Sequence, residues 1–230
     1  MNNLPESLFA NPVWHALHTK HRHFAASVGG ASRYPADVAP FAAVSAPSAV
    51  ALQHLHSLLT PGESVWLIGE GYPSVPELSC DEILECFQMV LPAEITPPRP
   101  AIEVLRLSDA DAPEMVALTT LAFPGFFRKR TCEMGSYYGV RSGGQLIAMG
   151  GERLVLDGYP EISGVCTHPV HRGQGLATSL IWQLAHDHRR AGLVSWLHVG
   201  CANHSAIELY LQMGFKVAHK VKLHRLCRKD

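Results

Sequence analysis

Between residues 164 and 177 the chain reads GVCTHPVHRGQGLA. An apolar strand runs into a proline, and a glycine-rich turn opens directly into a helical pattern. The first N–H groups of a helix lack partners within it and carry the positive end of its dipole. A turn that curls such donors around one point makes an anion site. Gly173 and Gly175 have no Cβ, so a bulky diphosphate can approach the main chain there. Arg172 adds a permanent charge suited to phosphate oxygens. Taken alone, a Gly-x-Gly turn often only connects a strand to a helix. No Gly-Lys-Ser/Thr follows, and the glycine spacing differs from the dinucleotide fingerprint.

The elements that must position this turn are legible on both sides of it. A strand is expected over residues 161–167 and a helix over 176–191, with Leu176, Leu180, Ile181 and Leu184 on one face. Arg189 and Arg190 sit in its last turn and Gly192 is placed to end it. A strand at 194–199, a short helix at 205–213 and a strand or strand pair at 215–226 follow. Ser205-x-x-Glu208 has the form of a capping box for the short helix. Upstream, a strand at 102–107 and a helix at 110–122 precede a hairpin of 138–141 with 145–156. Ser142-Gly143-Gly144 supplies its turn, and Asp157-Gly158 makes the next one.

Residues 91–100, LPAEITPPRP, carry four prolines, which prevent a continuous helix or a central strand and favour a stiff connector. The boundary is placed near Pro98, giving regions 1–97 and 98–230. The first region is expected to be a small α/β unit. It has helices at 12–23 and 47–59 and strands at 40–44, 64–69 and 86–91.

Composition narrows the function classes. The 19 Lys and Arg balance 20 Asp and Glu, so the basic excess of a broad nucleic-acid footprint is missing. The amino terminus lacks the basic start and apolar run of a secretory signal, and the apolar stretch at 38–59 is too interrupted to span a bilayer. These features favour a cytoplasmic protein with no membrane or nucleic-acid partner. Six cysteines, at 80, 86, 132, 166, 201 and 227, form no Cys-x-x-Cys pair and read as free thiols.

Two motifs together carry a family resemblance. Arg172-x-x-Gly175-x-Ala177 resembles the Arg/Gln-x-x-Gly-x-Gly/Ala signature of the GNAT superfamily of N-acetyltransferases, and it follows the strand and proline seen there. Further on, Asn203-x-x-Ala206-x-x-Leu209-Tyr210-x-x-x-Gly214-Phe215 resembles that family's second element. The resemblance covers residues 102–230. It implies a GNAT-like α/β fold, with a mixed, mostly antiparallel central sheet flanked by helices. Residues 1–97 would be an added α/β region, degenerate GNAT-like or otherwise, as in the branch that includes glycine-acyltransferase-like members.

The implied function is acyl transfer from acetyl-CoA, or another acyl-CoA, to an amine, without a metal. The alternative is a non-catalytic acyl-CoA sensor or interaction module. Cofactor contacts would come from Arg172, Gly173, Gln174, Gly175, Leu176 and Ala177 at the phosphates. Main-chain groups of Val165, Cys166 and Thr167 would flank the pantetheine arm, because the family splays this strand from the next. Asn203 would add an amide, left free if Ser205 caps the helix. The resemblance puts Tyr210 at the sulfur end as general acid, although Ala206, Tyr210 and Met213 also fall on one helical stripe. Glu161 and Glu152 are the candidate bases; a partly buried Glu161 would have a raised pKa. The acceptor is expected to be set by loops such as 123–135 and by the amino-terminal region, and an oligomer is compatible with the sequence.

Other chemistry-bearing residues read as structural. His15, His18, His21 and His23 are dense, but they mix with Lys20 and Arg22 without Cys or acidic ligands, as on a solvated helix face. Cys166 lies inside an expected central strand, which favours a small core residue over an acyl-bearing nucleophile. His168 and His171 flank the turn and would touch phosphate or cap it.

Overall fold

The computed structural model of the protein describes residues 6–122 and 124–229. The chain opens with helices α1 (Glu6–Ala10) and α2 (Pro12–His18). Asn11 caps α2 by accepting from Trp14 N at 3.3 Å, and Pro12 occupies the first turn, where a missing N–H is tolerated. The helix expected to reach residue 23 stops at His18. Ala16 O there accepts from both Thr19 N and His21 N, which tightens and ends the turn, and Arg22–Phe24 form a separate 3-10 turn.

Strands β1 (Ala26–Val28), β2 (Ala31–Arg33) and β3 (Ala42–Val44) make a small antiparallel sheet. β1 and β2 are unexpected, because three-residue strands of mostly small side chains leave no periodic signal. Helix α3 (Ala49–Leu58) packs on this sheet through Ala51, Leu52 and Leu55, and Ser48 caps it by accepting from Ala51 N at 3.2 Å.

The remaining elements are β4 (Ser64–Ile68), β5 (Leu78–Val90), β6 (Leu105–Arg106), α4 (Ala112–Ala122), β7 (Tyr137–Ser142), β8 (Gln145–Leu156), β9 (Tyr159–Thr167), α5 (Leu176–Arg190), β10 (Trp196–Gly200), α6 (His204–Gln212) and β11 (Lys216–Arg228). Eight strands form one mixed, mostly antiparallel sheet in the order β4-β11-β5-β10-β9-β8-β7-β6. Strand β5, from before residue 98, lies between β10 and β11, from after it, so both regions of the chain share the sheet. β5 is thirteen residues long rather than the expected 86–91. Its first half is held by ladder hydrogen bonds to β11 rather than by burial, and Ile83 is 53% exposed.

Alternation along β10 sorts the layers. Trp196 points into a cluster with Phe9, Val13 and Leu17 of the amino-terminal helices, whereas Leu197 and Val199 join Ile181 and Leu184 of α5 and Met213 beyond α6. Helix α4 packs Met115 and Leu118 on Tyr137, Met149 and Cys166, across the sheet from α5. Phe9 meets Trp196 edge-on at 5.0 Å; burying such a ring contributes about 1.5–3 kcal/mol, which ties α1 to the middle of the sheet. No helix among the described residues is long and apolar enough to cross a membrane. All six cysteines are free thiols.

Candidate functional site

Strand β9 ends in a turn that spends few of its main-chain donors. His168 N makes a last sheet-side bond to Ile147 O at 2.8 Å, and His171 N closes a 3-10 turn on His168 O at 2.9 Å. His168 Nδ1 accepts from Val170 N at 3.4 Å, so this histidine caps the turn. Gly173 and Gly175 then take φ of +77° and +74°, left-handed geometry that strains any residue with a Cβ. Helix α5 starts at Leu176, and its first closing bond is Ser179 N to Gly175 O at 3.1 Å. The N–H groups of Gly173, Gln174 and Gly175 find no acceptor among the described residues. Those of Leu176, Ala177 and Thr178 occupy the first helical turn, which has no internal acceptors. Nothing lies within 4 Å of where a Cβ of Gly173 or Gly175 would stand. Arg172 is exposed and has no carboxylate within 4.0 Å among the described residues. Leu176, in contrast, points into the core beside Leu180.

Just before this cradle the sheet opens. β10 pairs with β5 at five positions but with β9 only at Trp196↔Glu161. Beyond that pair β9 keeps β8 as its neighbour and bends away, with Gly164 at φ +63° and a register shift against β8 between Gly151 and Met149. The edge of residues 162–167 that faces β10 therefore has no ladder partner among the described residues. Val165, Cys166 and Thr167 lie on this parted segment. Burial pushes the Cys166 thiol up to about 12, which suits a core residue and not a nucleophile.

Helix α6 approaches from the other side of the opening. It begins at His204, one residue earlier than expected, so Asn203 and not Ser205 is its cap. Asn203 Oδ1 accepts from Ala206 N and from Ser205 Oγ, each at 3.2 Å. The capping box expected at Ser205 is thus corrected, and only the amide NH2 of Asn203 is left to donate outward. The half-buried ring of Tyr210 packs near Phe215, with centroids 5.8 Å apart. Its hydroxyl has no hydrogen-bond partner among the described residues, and burial raises the phenol to about 12.

The two carboxylates differ from expectation. Glu161 is fully buried and has no raised pKa. Burial alone would raise it, but the charge of Arg153 and a hydrogen bond from His198 outweigh that and bring the carboxyl down to about 2. Arg153 donates from Nε (3.0 Å) and Nη2 (2.6 Å), Leu154 N donates at 3.1 Å, and His198 Nδ1 lies at 2.7 Å. Gln88 Nε2 donates to Phe9 O at 2.9 Å and lies 3.2 Å from His198 Nε2, so His198 carries its proton on Nδ1. With its oxygens so engaged, Glu161 is a poor proton acceptor. Glu152 is held in another direction: Oε2 accepts from Ser136 N at 2.6 Å, and Oε1 meets His188 Nε2 at 2.8 Å. His188 Nδ1 in turn lies 2.8 Å from Ser195 Oγ. Those bonds lower the Glu152 carboxyl against the upward push of burial.

Sequence reasoning missed Arg153, His198 and Gln88. The available signal was an Arg and a Glu flanking the Asp157-Gly158 turn inside otherwise apolar strands. The histidine cluster disperses: His18 stacks on Trp14 at 3.9 Å, while His21 is buried against Tyr34 Oη at 2.8 Å and Met134 O at 3.0 Å. His21 is therefore core rather than a solvated face. No group of three or more His, Cys, Asp or Glu among the described residues is placed to hold a metal ion. A cavity of about 300 Å³ lies away from the opening, between the Pro-rich connector and the end of α5. Arg189 closes it by donating to Ala93 O and Ile95 O, and it shares no residue with the cradle.

Over the face of β9 opposite α5 lies the segment 124–134, part of the loop expected to shape the acceptor site; Phe123, its first residue, lies outside the described residues. A Cβ on Gly164 would come within 3.8 Å of the rings of Tyr137 and Phe127 and the tip of Met149. Phe126 stacks near Phe41 at 5.9 Å, so the segment bridges to the amino-terminal region.

The profile of the acetyltransferase (GNAT) family matches residues 102–215. The chain is similar to a crystal structure of a protein from Novosphingobium aromaticivorans assigned to GNAT acetyltransferases. That match has 31% identity and a TM-score of 0.87, covering 96% of this chain and 99% of the other. A GCN5-related N-acetyltransferase from Kribbella flavida shares the fold at 15% identity and a TM-score of 0.65, covering 100% of this chain and 97% of its own. No curated protein matches the chain in sequence.

Proposed function

Because this chain belongs to the acetyltransferase (GNAT) family, we propose that it is an N-acetyltransferase that passes the acyl group of acetyl-CoA, or of another acyl-CoA, to a primary amine by direct attack in a ternary complex. The observation that carries this reading is the run of unspent donors at residues 173–175. It leads into the first turn of α5 directly after β9 parts from β10. Open space at both glycines fits a diphosphate there. Acyl-CoA supplies an activated thioester; the rest falls to the chain. Main-chain N–H groups of residues 173–177 hold the pyrophosphate, and Arg172 adds charge. The unpaired edge at Val165, Cys166 and Thr167 holds the pantetheine arm and offers donors to the oxyanion, with the Asn203 amide donating from α6.

Tyr210 gives its proton to the departing thiolate. A phenol raised to about 12 stays protonated at neutral pH, the form a general acid needs. Glu161 and Glu152 are both committed to other partners, so water at the mouth of the cleft takes the proton from the amine. Six free thiols suit the reducing cytoplasm as the setting. That Glu161 and Glu152, the two candidate bases, are both bonded to other partners is the one observation that favours a non-catalytic acyl-CoA sensor.

Thiol release from acetyl-CoA with a panel of amines separates these readings. As an enzyme, the protein turns over, and Tyr210→Phe lowers kcat about a hundredfold at unchanged acetyl-CoA affinity. Acetyl-CoA binding without thiol release leaves the sensor, and absence of binding by calorimetry removes both.

A further inference from the structure

The segment over β9 carries positive charge that no carboxylate among the described residues neutralises. Arg130 is fully engaged: its guanidinium makes two 2.7 Å bonds to Glu133 and lies 3.5 Å from Asp37. Arg128, two residues earlier, is half-buried and has no carboxylate within 4.0 Å among the described residues. Its Nη1 donates to Phe127 O at 3.3 Å, and its N–H donates to Thr131 Oγ1 at 2.7 Å. Thr131 Oγ1 is tied in turn to Val38 O at 2.6 Å, so the backbone under the guanidinium is fixed to the amino-terminal region. The Phe127 ring faces Gly164, where β9 bends from β10. Arg128 follows Phe127 directly and its guanidinium bonds to the Phe127 carbonyl, so this cation belongs to the segment that covers the bend. Burial alone shifts Arg128, and it shifts it down, as expected for a charge partly removed from water without a counter-ion. Exposed Lys129 adds a second positive charge.

A guanidinium has five donors in a planar fork, and among the described residues one of them is used here. Stripping water from such a group costs free energy unless an anion replaces the water, and the fork matches a carboxylate. A polyamine or a lysine-rich peptide would meet repulsion at this face. Resting on the acyl-transfer reading above, the geometry points to an acceptor that carries a carboxylate besides its amine, with Arg128 as the residue that binds that carboxylate and selects for it.

The test uses the full chain with acetyl-CoA and paired acceptors that differ only at the acid: L-amino acids and their carboxamides. The wild type acetylates acids with a kcat/KM at least about tenfold above the matched amides, the scale of one hydrogen-bonded charge pair. Arg128→Gln brings that ratio close to one while acetyl-CoA affinity by calorimetry is unchanged, and Arg128→Lys keeps part of the preference. The proposal is overturned if the wild type favours amides, acetylates no acid in the panel, or keeps its acid-to-amide ratio in Arg128→Gln. Loss of acetyl-CoA binding by the wild type would instead remove the acyl-transfer reading beneath it.

Discussion

The two ends of β9 use polar groups in opposite ways. At Glu161, where the strand still pairs with β10, the carboxylate is buried and bonded to Arg153, His198 and Leu154 N. Past its other end, the consecutive main-chain donors of residues 173–175 have no acceptor, and Arg172 no carboxylate, among the described residues. Buried polar groups must be paired within the fold, whereas exposed donors can be held for a ligand. The contrast teaches that the root of the opening spends its polar groups on the fold, while the outer end keeps donors free for the ligand proposed above, although both lie on one strand. Changes at the root should appear as stability, and changes at the cradle as affinity.

The largest effect expected is from removing residues 1–97. That deletion takes away β5 from between β10 and β11, together with Gln88 and Phe9 O at the root. Residues 98–230 alone should lack a cooperative unfolding transition and dispersed amide resonances; a sharp transition with coenzyme A binding would break the comparison. Next is Glu161→Gln, which leaves Arg153 buried without its counter-charge. We expect a loss of about 3–5 kcal/mol in urea unfolding, with acetyl-CoA affinity of the folded fraction kept. The same pair gives a pH dependence. A carboxyl held at about 2 in the fold and near 4.3 when unfolded stabilises fully above the latter value. Its contribution fades as pH falls toward the former, and the variant should lack that limb of the unfolding profile. Gly175→Val comes last: at φ +74° a β-branched residue shifts the turn at a cost of about 1–3 kcal/mol. Acetyl-CoA affinity should fall at least about tenfold in a protein that stays folded, and unchanged affinity by calorimetry would take Gly175 out of the cradle.

Legibility in the sequence follows the same divide. The cradle is a local object: proline, two glycines and a helical stripe within a few residues specify it, and α5, β8 and β9 appear close to where periodicity places them. The root is made of long-range choices. That Gln88 of β5 would lie against His198 of β10 is a matter of register across the Pro-rich connector, which no local pattern encodes. The raised pKa expected of Glu161 does not hold for that reason: its burial is legible in the sequence, but its partners Arg153 and His198 are not. The start of α6 differs on a smaller scale: two capping residues, Asn203 and Ser205, compete, and the helix start at His204 decides for Asn203.

Backbone amide resonances, followed while coenzyme A and then pantetheine without phosphates are titrated into the protein, test the central claim most directly. If unpaired amides at the mouth of α5 grip the pyrophosphate, the signals of Gly173, Gly175, Leu176 and Ala177 move with coenzyme A and stay in place with pantetheine. Equal shifts with both ligands, or none with coenzyme A, would contradict the account.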